Sequence, residues 1–255
     1  MKIATWNVNS LKVRLEHVKD WLRSAEPDVL VLQEIKQVTE DFAADEFGSM
    51  NYAAIASGQK TYNGVAVIAR TPPEDPVTDF PGFEDPQRRI LAVTIGNVRV
   101  VNLYVPNGSS LNSDKYQYKL RWLEALKEFL QAELATHEHV VVLGDFNIAP
   151  ADNDVWDPEK WGEDVLCSPP ERAALREILD LGFVDVFRKF VPEEKVFSWW
   201  DYRAAAFRRN AGLRIDLILA SQSLAESSTD SYIDREPRTW ERPSDHTPVV
   251  AEFHV

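Results

Sequence analysis

Polar side chains that could bind a metal ion or move a proton stand at the ends of apolar segments of this chain. Glu34 follows the segment Val29–Leu32, and Asp145 and Asn147 follow Val140–Leu143 through one glycine. Comparable places near other apolar runs hold Asn7, Asp216, Asp245 and His246. Carboxylate oxygens that converge from several strand ends would form a hard, all-oxygen site suited to Mg²⁺ or Mn²⁺. The sequence therefore favours phosphoryl chemistry.

Taken singly, these residues also have ordinary structural explanations. Asp and Asn after a strand are common turn residues, and Glu34 beside Lys36 fits a solvated surface pair. Asp216 is harder to explain in this way. A carboxylate within an apolar run is costly to desolvate unless it is paired, and His246 is a suitable partner. A structural zinc site is not indicated, since the chain has one cysteine and its five histidines lack ligand spacing.

The composition is that of a soluble protein with enough apolar material for a large core. The 255 residues are 44% hydrophobic, and no apolar run approaches the roughly 18 residues that a membrane span requires. The single cysteine, Cys167, excludes an internal disulfide and fits a reducing compartment. We therefore expect a cytoplasmic protein.

The charge distribution leaves the partner open. A net charge of −13 argues, at face value, against a polyanionic partner. The segment 203–214 nevertheless carries four arginines and no acidic residue, and a second basic stretch holds Lys115, Lys119 and Arg121. On charge alone, solvated surface cations are the better explanation of these stretches, and the net charge does not decide the partner.

Short runs rich in Val and Ile and bounded by Gly, Pro, Asn or Asp predict β-strands. They are Ile3–Val8, Val29–Leu32, Gly64–Ala69, Ile90–Val105 with a hairpin turn at Gly96-Asn97, Val140–Leu143, Ile215–Ala220 and Val249–Phe253. Helices are predicted from Ser10, as a cap, to before Pro27, over Asp114–Leu134, and after the capping box Ser168-Pro169-Pro170-Glu171. Central strands with helices outside predict one layered α/β domain over residues 1–255.

Several motifs, in chain order, resemble the exonuclease III family of abasic-site (AP) endonucleases, within the endonuclease/exonuclease/phosphatase superfamily. They are Thr5-Trp6-Asn7-Val8-Asn9, Leu32-Gln33-Glu34-Ile35-Lys36, Asn102-Leu103-Tyr104-Val105-Pro106, Gly144-Asp145-Phe146-Asn147, Trp199-Trp200-Asp201-Tyr202-Arg203, Gly212-Leu213-Arg214-Ile215-Asp216 and Ser244-Asp245-His246-Thr247-Pro248. The resemblance also takes in Gly58-Gln59-Lys60 and Gln87-Arg88-Arg89, and so covers essentially the whole chain.

The resemblance implies a four-layered α/β sandwich, in which two packed mixed β-sheets are flanked by helices. It also implies a DNA repair nuclease that binds Mg²⁺, or Mn²⁺, and hydrolyses phosphodiesters 5′ to abasic sites. Processing of 3′ ends, as a 3′→5′ exonuclease and 3′-phosphatase, is implied as well. We expect a monomer that acts on double-stranded DNA with abasic sites or damaged 3′ ends.

The resemblance assigns roles residue by residue. The residues implied around the metal are Asn7, Glu34, Asp145, Asn147, Asp245 and His246. The implied catalytic residues are Tyr104, Asp145, Asn147, Asp216 and His246, with Asp145 activating the attacking water and Asp216 paired to His246. The expected DNA contacts are Arg88, Lys115, Lys119, Trp199, Arg203, Arg208, Arg209 and Leu213, with Trp199 and Leu213 lining a pocket for a base-free sugar.

Three alternatives stay open. Leu166 is bulky and lies where some bacterial relatives differ, so a 3′-end-specialised exonuclease or phosphatase without abasic-site incision is one of them. An enzyme of the same scaffold acting on phospholipid head groups or inositol phosphates is disfavoured by the Trp-Trp-Asp-Tyr-Arg segment. A non-catalytic nucleic-acid-binding regulator is disfavoured because every expected metal and base residue is present.

Overall fold

Two six-stranded β-sheets form the centre of the computed structural model, which describes residues 1–255. Sheet A contains β1 (Lys2–Asn7), β2 (Val29–Gln33), β3 (Ala53–Ser57), β4 (Val65–Ala69), β11 (Ser228–Ile233) and β12 (Val249–Phe253). Sheet B contains β5 (Glu74–Val77), β6 (Ile90–Ile95), β7 (Val98–Tyr104), β8 (His139–Asp145), β9 (Phe183–Asp185) and β10 (Asp216–Ser221). The spatial orders are β11-β12-β1-β2-β4-β3 and β5-β6-β7-β8-β10-β9.

Both sheets are mixed. β1 pairs with β2 in parallel and β7 pairs with β8 in parallel, whereas the other neighbours are antiparallel. Two sheets of this kind, with helices outside them, confirm the fold class expected from the sequence.

Seven helices accompany the sheets. They are α1 (Leu11–Ala25), α2 (Ala44–Gly48), α3 (Asp114–Thr136), α4 (Pro158–Trp161), α5 (Pro169–Leu179), α6 (Val186–Phe190) and α7 (Gln222–Glu226). Trp21 and Leu22 of α1 pack on the outer face of sheet A, and Trp122 of α3 and Leu175 of α5 pack on the outer face of sheet B. No helix is both long and apolar enough to cross a membrane.

The core between the sheets is formed by the inward residues of both. Val29, Val31 and Val67 of sheet A belong to the same buried cluster as Val141 and Leu143 of sheet B. Helices cover the outer face of each sheet, so the central strands are buried on both faces. This burial explains why their sequences are continuous apolar runs.

One polar side chain crosses this apolar layer. Asn102 on β7 is fully buried and donates to the carbonyl oxygens of Leu32 (3.0 Å) and Ala66 (2.8 Å) on sheet A. Its own oxygen accepts a hydrogen bond from Gln33 at 2.8 Å. Because a buried polar group is retained only when it is satisfied, this network fixes the register of one sheet against the other beside Gln33, the residue before Glu34.

The helices and strands predicted from the sequence are all present, including the hairpin between β6 and β7. Ser10 differs from expectation, because it has a left-handed φ of 90° and its side chain makes no capping hydrogen bond. The capping box at the start of α5 is present, with the Ser168 N–H donating to the Glu171 carboxylate at 3.1 Å. Strands β3, β5, β9 and β11 were not predicted, since their residues are only partly buried or too few to give a pattern.

Candidate active site

The polar residues singled out from the sequence meet at one edge of the two sheets. Asn7 ends β1, and Glu34 follows β2, the parallel neighbour of β1. Tyr104 ends β7 opposite Asp145, which ends the parallel strand β8. Asp216 opens the antiparallel strand β10 and also lies opposite Asp145. The ends of these strands therefore present their side chains to one place.

A glycine allows the strand that carries Asp145 to approach β7 closely. Gly144 has a φ of +150°, and a Cβ built on it would lie 1.9 Å from the carbonyl oxygen of Leu103. No other residue fits this position without moving the strand. Gly144 thus fixes where Asp145 is placed.

Asn7 joins the two carboxylates. Its side-chain nitrogen donates to Glu34 Oε1 at 3.0 Å and to Asp145 Oδ2 at 2.9 Å. Its oxygen accepts the N–H of Asn9 at 3.0 Å. The amide therefore orients the carboxylates, and the expectation that Asn7 lies at the metal stays a prediction.

Glu34 is held in an unusual backbone conformation, with a left-handed φ of 51°. Its Oε2 lies 3.0 Å from Lys36 Nζ, and both side chains are mostly buried. This pair is the one that the sequence could not distinguish from a surface pair. In the structure it forms part of the carboxylate cluster, because Oε1 of the same carboxylate bonds to Asn7.

His246 lies between two buried aspartates. Its Nδ1 is 2.8 Å from Asp216 Oδ2, and its Nε2 is 3.6 Å from Asp145 Oδ2. Burial opposes the charged imidazolium, but the carboxylates of Asp216 and Asp145 outweigh burial and raise the pKa of His246 above its ordinary value. Ser198 Oγ donates to Asp216 Oδ2 at 2.7 Å, which fixes the aspartate in turn.

Asp145 is almost completely buried. Burial raises the pKa of its carboxyl group, and the neighbouring charge of Asp216 acts in the same direction, while His246 lowers it. Its Oδ1 accepts the N–H of Asn147 at 2.9 Å. Asp145 is thus a fixed carboxylate with a raised proton affinity.

Three possible metal-binding side chains come together here. One ligand atom from each of Glu34, Asp145 and His246 lies within 4.8 Å of the others. Asp245 is not in this group, because its Oδ1 accepts from Asn9 (3.1 Å) and its Oδ2 accepts from the indole N–H of Trp199 (3.0 Å). Since Asp245 lies outside the group, the structure supports direct metal binding by Asp245 less than by Glu34 and Asp145. The remaining carboxylate oxygens fit a hard divalent cation.

Asn147 is held by both ends of its side chain. Its nitrogen donates to the carbonyl oxygen of Val105 at 2.9 Å, and its oxygen accepts from the side chain of Asn107 at 3.1 Å. One N–H and one lone pair stay available for a water or a phosphate oxygen. Asn147 is therefore placed to orient a reactant, and the expectation that it also lies at the metal stays a prediction. Asn107 was not identified from the sequence.

Tyr104 lies at the same edge, half-buried under the guanidinium of Arg89, whose Cζ is 4.6 Å from the ring centre. Burial raises the pKa of Tyr104 well above its ordinary value, and the carboxylates of Glu34 and Asp145 act in the same direction. The phenol therefore stays protonated at neutral pH and is a hydrogen-bond donor.

Lys119, expected to bind DNA, is fully buried. Its ammonium is bonded to Glu171, which is also fully buried, and donates to the carbonyl oxygens of Asn147 (2.7 Å) and Asn107 (3.1 Å). It cannot reach a phosphate, so this expectation is wrong. Lys119 instead holds the two loops that carry Asn107 and Asn147.

Replacing Lys119 with methionine should destabilise the protein and disturb the loop of Asn147. A buried carboxylate, Glu171, loses its partner, and breaking a buried pair costs about 3–5 kcal/mol. Thermal unfolding of Lys119→Met measures the loss. The matched control is Arg99→Met, which breaks a second mostly buried ion pair, to Glu133, away from the site. At a temperature where both variants are folded, only Lys119→Met should lose turnover, and equal turnover would contradict the positioning role.

The other expected DNA contacts differ in their environment. Arg203, Arg208 and Arg209 are exposed and lie within 4.0 Å of no carboxylate, whereas Arg88 is paired with Asp79 at 3.1 Å. Lys115 lines a polar cavity of about 490 Å³ with Gln59, Asn63, Gln87 and Arg89, which extends from the neighbourhood of Tyr104. These side chains can reach an anionic ligand.

The fourth arginine of that segment, Arg214, is not part of the surface. It is fully buried and bonds to Asp154 (2.6 Å) and Asp185 (2.7 Å). The segment 203–214 is therefore less basic on the outside than its sequence indicates.

The two residues expected to line the sugar pocket differ in exposure. Leu213 is fully buried and belongs to an apolar cluster with Leu166 and the half-buried Trp199. Leu166 has a left-handed φ of 77° and is held through its N–H, which donates to Glu171 Oε1 at 3.0 Å. Of the two expected pocket residues, Leu213 is thus inaccessible in this conformation and Trp199 is accessible.

A buried Asp–His pair, two further carboxylates and oriented amides at the edge of a two-sheet sandwich define a hydrolase that uses a metal ion and acts on phosphate esters. The model of the endonuclease/exonuclease/phosphatase family matches residues 4–246. The chain belongs to the endonuclease/exonuclease/phosphatase family.

Relatives and solved structures show which members of the family the chain is similar to. Exodeoxyribonuclease III of Haemophilus influenzae is 36% identical, over 99% of this chain and all of the relative. The structure of a 3′ phosphatase from Neisseria bound to a product DNA hairpin is 49% identical with a TM-score of 0.99, and that of an AP endonuclease from Archaeoglobus fulgidus is 42% identical with a TM-score of 0.95. Each covers the whole of both chains. The resemblance to exonuclease III is confirmed.

Proposed function

We propose that this protein is a magnesium-dependent DNA repair nuclease whose main activity is processing of DNA 3′ ends, as an exonuclease and 3′-phosphatase. The observation that carries the 3′-end preference is the burial of Leu213 in an apolar cluster with Leu166, which leaves Leu213 no exposed surface for a base-free sugar. The similarity to the Neisseria 3′ phosphatase points in the same direction. A single domain over residues 1–255, acting as a monomer in the cytoplasm on double-stranded DNA, completes the proposal.

The divalent cation, Mg²⁺ or Mn²⁺, would be held by Glu34 and Asp145. Their carboxylates are linked through the amide of Asn7 and offer hard oxygen atoms at the sheet edge. When bound, such an ion relieves negative charge on the phosphate oxygens of the substrate and of the departing group.

The side chains of this chain supply the rest of the chemistry. Asp145 would take a proton from the attacking water, since its carboxylate is fixed and has a raised proton affinity. Asn147 would hold that water in line through its free N–H or lone pair. Asp216 would position His246, whose Nε2 side faces the cluster.

Two donors would stabilise the developing charge. His246 and Tyr104 are both protonated in this environment and lie beside Asp145 and Glu34. Fixed donors in a site from which water is largely excluded stabilise a transition state without having to reorganise. Removal of a single such donor typically lowers turnover by about 10²–10³-fold.

Binding of the duplex is proposed to rest on exposed cations at the rim. The phosphates would be contacted by Arg203, Arg208, Arg209 and Lys115. Arg88 would also contact a phosphate once its ion pair with Asp79 is broken. Such contacts position DNA without reading its sequence, and binding should weaken with salt.

Incision on the 5′ side of abasic sites is the second candidate. The similarity to the Archaeoglobus fulgidus AP endonuclease and the accessible face of Trp199 favour it. The deciding experiment compares a labelled duplex with one tetrahydrofuran abasic analogue and a duplex with a recessed 3′-phosphate, each with Mg²⁺ and with EDTA. Metal-dependent release of phosphate that is much faster than incision supports the proposal. Faster incision, leaving a 3′-hydroxyl, would replace it with the second candidate, and no metal-dependent product would refute both.

Leu166→Gly should move the activity towards incision. Glycine suits the left-handed φ of 77° and removes four side-chain carbons from the cluster around Leu213 and Trp199. We expect the ratio of incision to phosphate release to rise by about tenfold, a change of roughly 1.4 kcal/mol in relative barrier. Rates on the two duplexes measure it. Cys167→Gly, at a neighbouring buried position, is the control, and an equal change in both variants would contradict a specific role of Leu166.

A further inference from the structure

A second cavity lies behind Trp199, outside the carboxylate cluster. It has a volume of about 330 Å³ and is bounded on one side by Trp156, Lys160 and Trp161 and on the other by Arg203 and Arg209. Neither Leu213 nor any residue of the carboxylate cluster lines it.

The cavity combines aromatic faces with free cations. Trp156, Trp161 and Trp199 are all half-buried, which leaves part of each ring accessible. The Nζ atom of Lys160 is 5.2 Å and the Cζ atom of Arg209 is 5.7 Å from the centre of the Trp156 ring. Neither cation has a carboxylate within 4.0 Å. Two carboxylates, Asp164 and Asp201, also line the cavity, beside the cations Lys160, Arg203 and Arg209. A planar ligand that carries a nearby negative charge matches the aromatic and cationic part of this surface.

The rim of the cavity is strained. Ala204, which lines it, and Ala205 have left-handed φ values of 52° and 49°, a conformation that costs alanine energy and that glycine would adopt freely. Strain of this kind is retained where the surrounding structure holds a functional surface in place.

The cavity is connected to the active site by one side chain. Trp199 forms a wall of the cavity, and its indole N–H donates to Asp245, the neighbour of His246 in the chain. Trp199 therefore lies between the cavity and the segment that carries Asp245 and His246.

We propose that this cavity is a subsite for the unpaired nucleobase of the 3′-terminal nucleotide, whose base leaves the stack as its sugar and phosphate enter the active site. The proposal rests on the proposed function. Trp156 would stack on the base once Lys160, whose ammonium lies over the same ring, turns to contact the adjoining phosphate together with Arg209. The size suits one nucleotide, since ligand cavities of small molecules begin at about 300 Å³. Every nucleobase offers a π-face, so recognition would tolerate any base.

The test compares two duplexes that differ only in one base. In each, the 3′-terminal nucleotide is unpaired and bears a 3′-phosphate. It carries adenine in one duplex and is a tetrahydrofuran without a base in the other. Binding to protein with the Asp145→Asn substitution, which prevents turnover, is measured by fluorescence anisotropy. We expect the duplex with adenine to bind about tenfold more tightly, as stacking on an aromatic side chain implies.

Variants of the cavity should remove this preference. Trp156→Ala should bind both duplexes equally, and Trp156→Phe should restore most of the preference. Arg209→Gln should reduce it, whereas Arg208→Gln removes the same charge from an exposed neighbour that does not line the cavity and should weaken both duplexes alike. Circular dichroism establishes that each variant is folded, and Arg209→Gln tests the cavity if Trp156→Ala is not.

Two results would overturn the subsite. One is equal binding of both duplexes by the protein with an intact cavity, and the other is an unchanged preference in Trp156→Ala and Arg209→Gln. Failure of the proposed function gives a different pattern. In that case the unsubstituted protein releases no phosphate from either duplex with Mg²⁺, whatever the cavity variants do.

Discussion

Asp145→Asn should lower turnover by about 10³-fold or more while leaving the fold almost unchanged. The carboxylate is the proposed proton acceptor and one of two proposed metal-binding groups, and loss of a general base alone typically costs about 10²–10⁴-fold. The buried position favours a neutral side chain, since burial raises the pKa of Asp145. Against this, the new amide nitrogen meets the donor of Asn7, which costs about 1 kcal/mol.

The measurement is single-turnover phosphate release with a thermal unfolding curve of the same preparation. A change of about 1 kcal/mol corresponds to a few degrees in Tm for a chain of this size. Asp152→Asn is the control, because its carboxylate is exposed and pairs with Arg172 away from the site. Near-normal turnover of Asp145→Asn would remove the residue from the chemistry. A large fall in Tm would mean that its role is structural.

His246→Ala should lose both activity and stability. The loss of stability is expected because Asp216 is fully buried, its Oδ1 has no hydrogen-bond partner and its Oδ2 relies on His246 and Ser198. Removing one partner of a buried pair costs about 3–5 kcal/mol.

A double variant separates the two effects. The variant with both His246→Leu and Asp216→Leu removes both polar groups. Replacing both partners of a buried hydrogen bond with apolar groups can leave stability nearly unchanged. We expect the Tm of the double variant to recover relative to His246→Ala, while turnover stays at least about 10²-fold below that of the unsubstituted protein. If turnover recovered along with the Tm, the loss in His246→Ala would be a consequence of unfolding.

The parts of the site that were predictable from the sequence are those delivered by strands. Glu34 and Asp145 follow apolar runs, and the edge of a sheet brings such residues together whatever the loops do. Asp216 was expected to need a partner because it lies in an apolar run, and His246 is that partner. These inferences used only local pattern and the cost of burying a charge.

The errors concern burial and partners that are distant in sequence. Lys119 is a helix residue in a basic stretch, and nothing near it in the chain indicates that Glu171, 52 residues later, buries it. Arg214 is bound by Asp154 and Asp185 in the same way. Asp245 has the right side chain for a metal, but the sequence does not show that Asn9 and Trp199 hold its carboxylate outside the group of Glu34, Asp145 and His246. A leucine such as Leu213 suits both a pocket wall and the core, and only the three-dimensional packing shows which of the two positions it occupies.

The most direct test of the central claim is the Mg²⁺ dependence of phosphate release for Glu34→Gln compared with Asp245→Asn. Removal of a residue that hydrogen-bonds to a metal ligand typically lowers metal affinity or activity by about 10–100-fold, and removal of a ligand itself should lower it at least as much. Glu34→Gln should therefore need at least about tenfold more Mg²⁺ for half-maximal rate. Asp245→Asn should need nearly the normal concentration, and calorimetric titration of the metal should give the same order. A normal Mg²⁺ requirement in Glu34→Gln together with a raised one in Asp245→Asn would place the metal elsewhere and contradict the site described above.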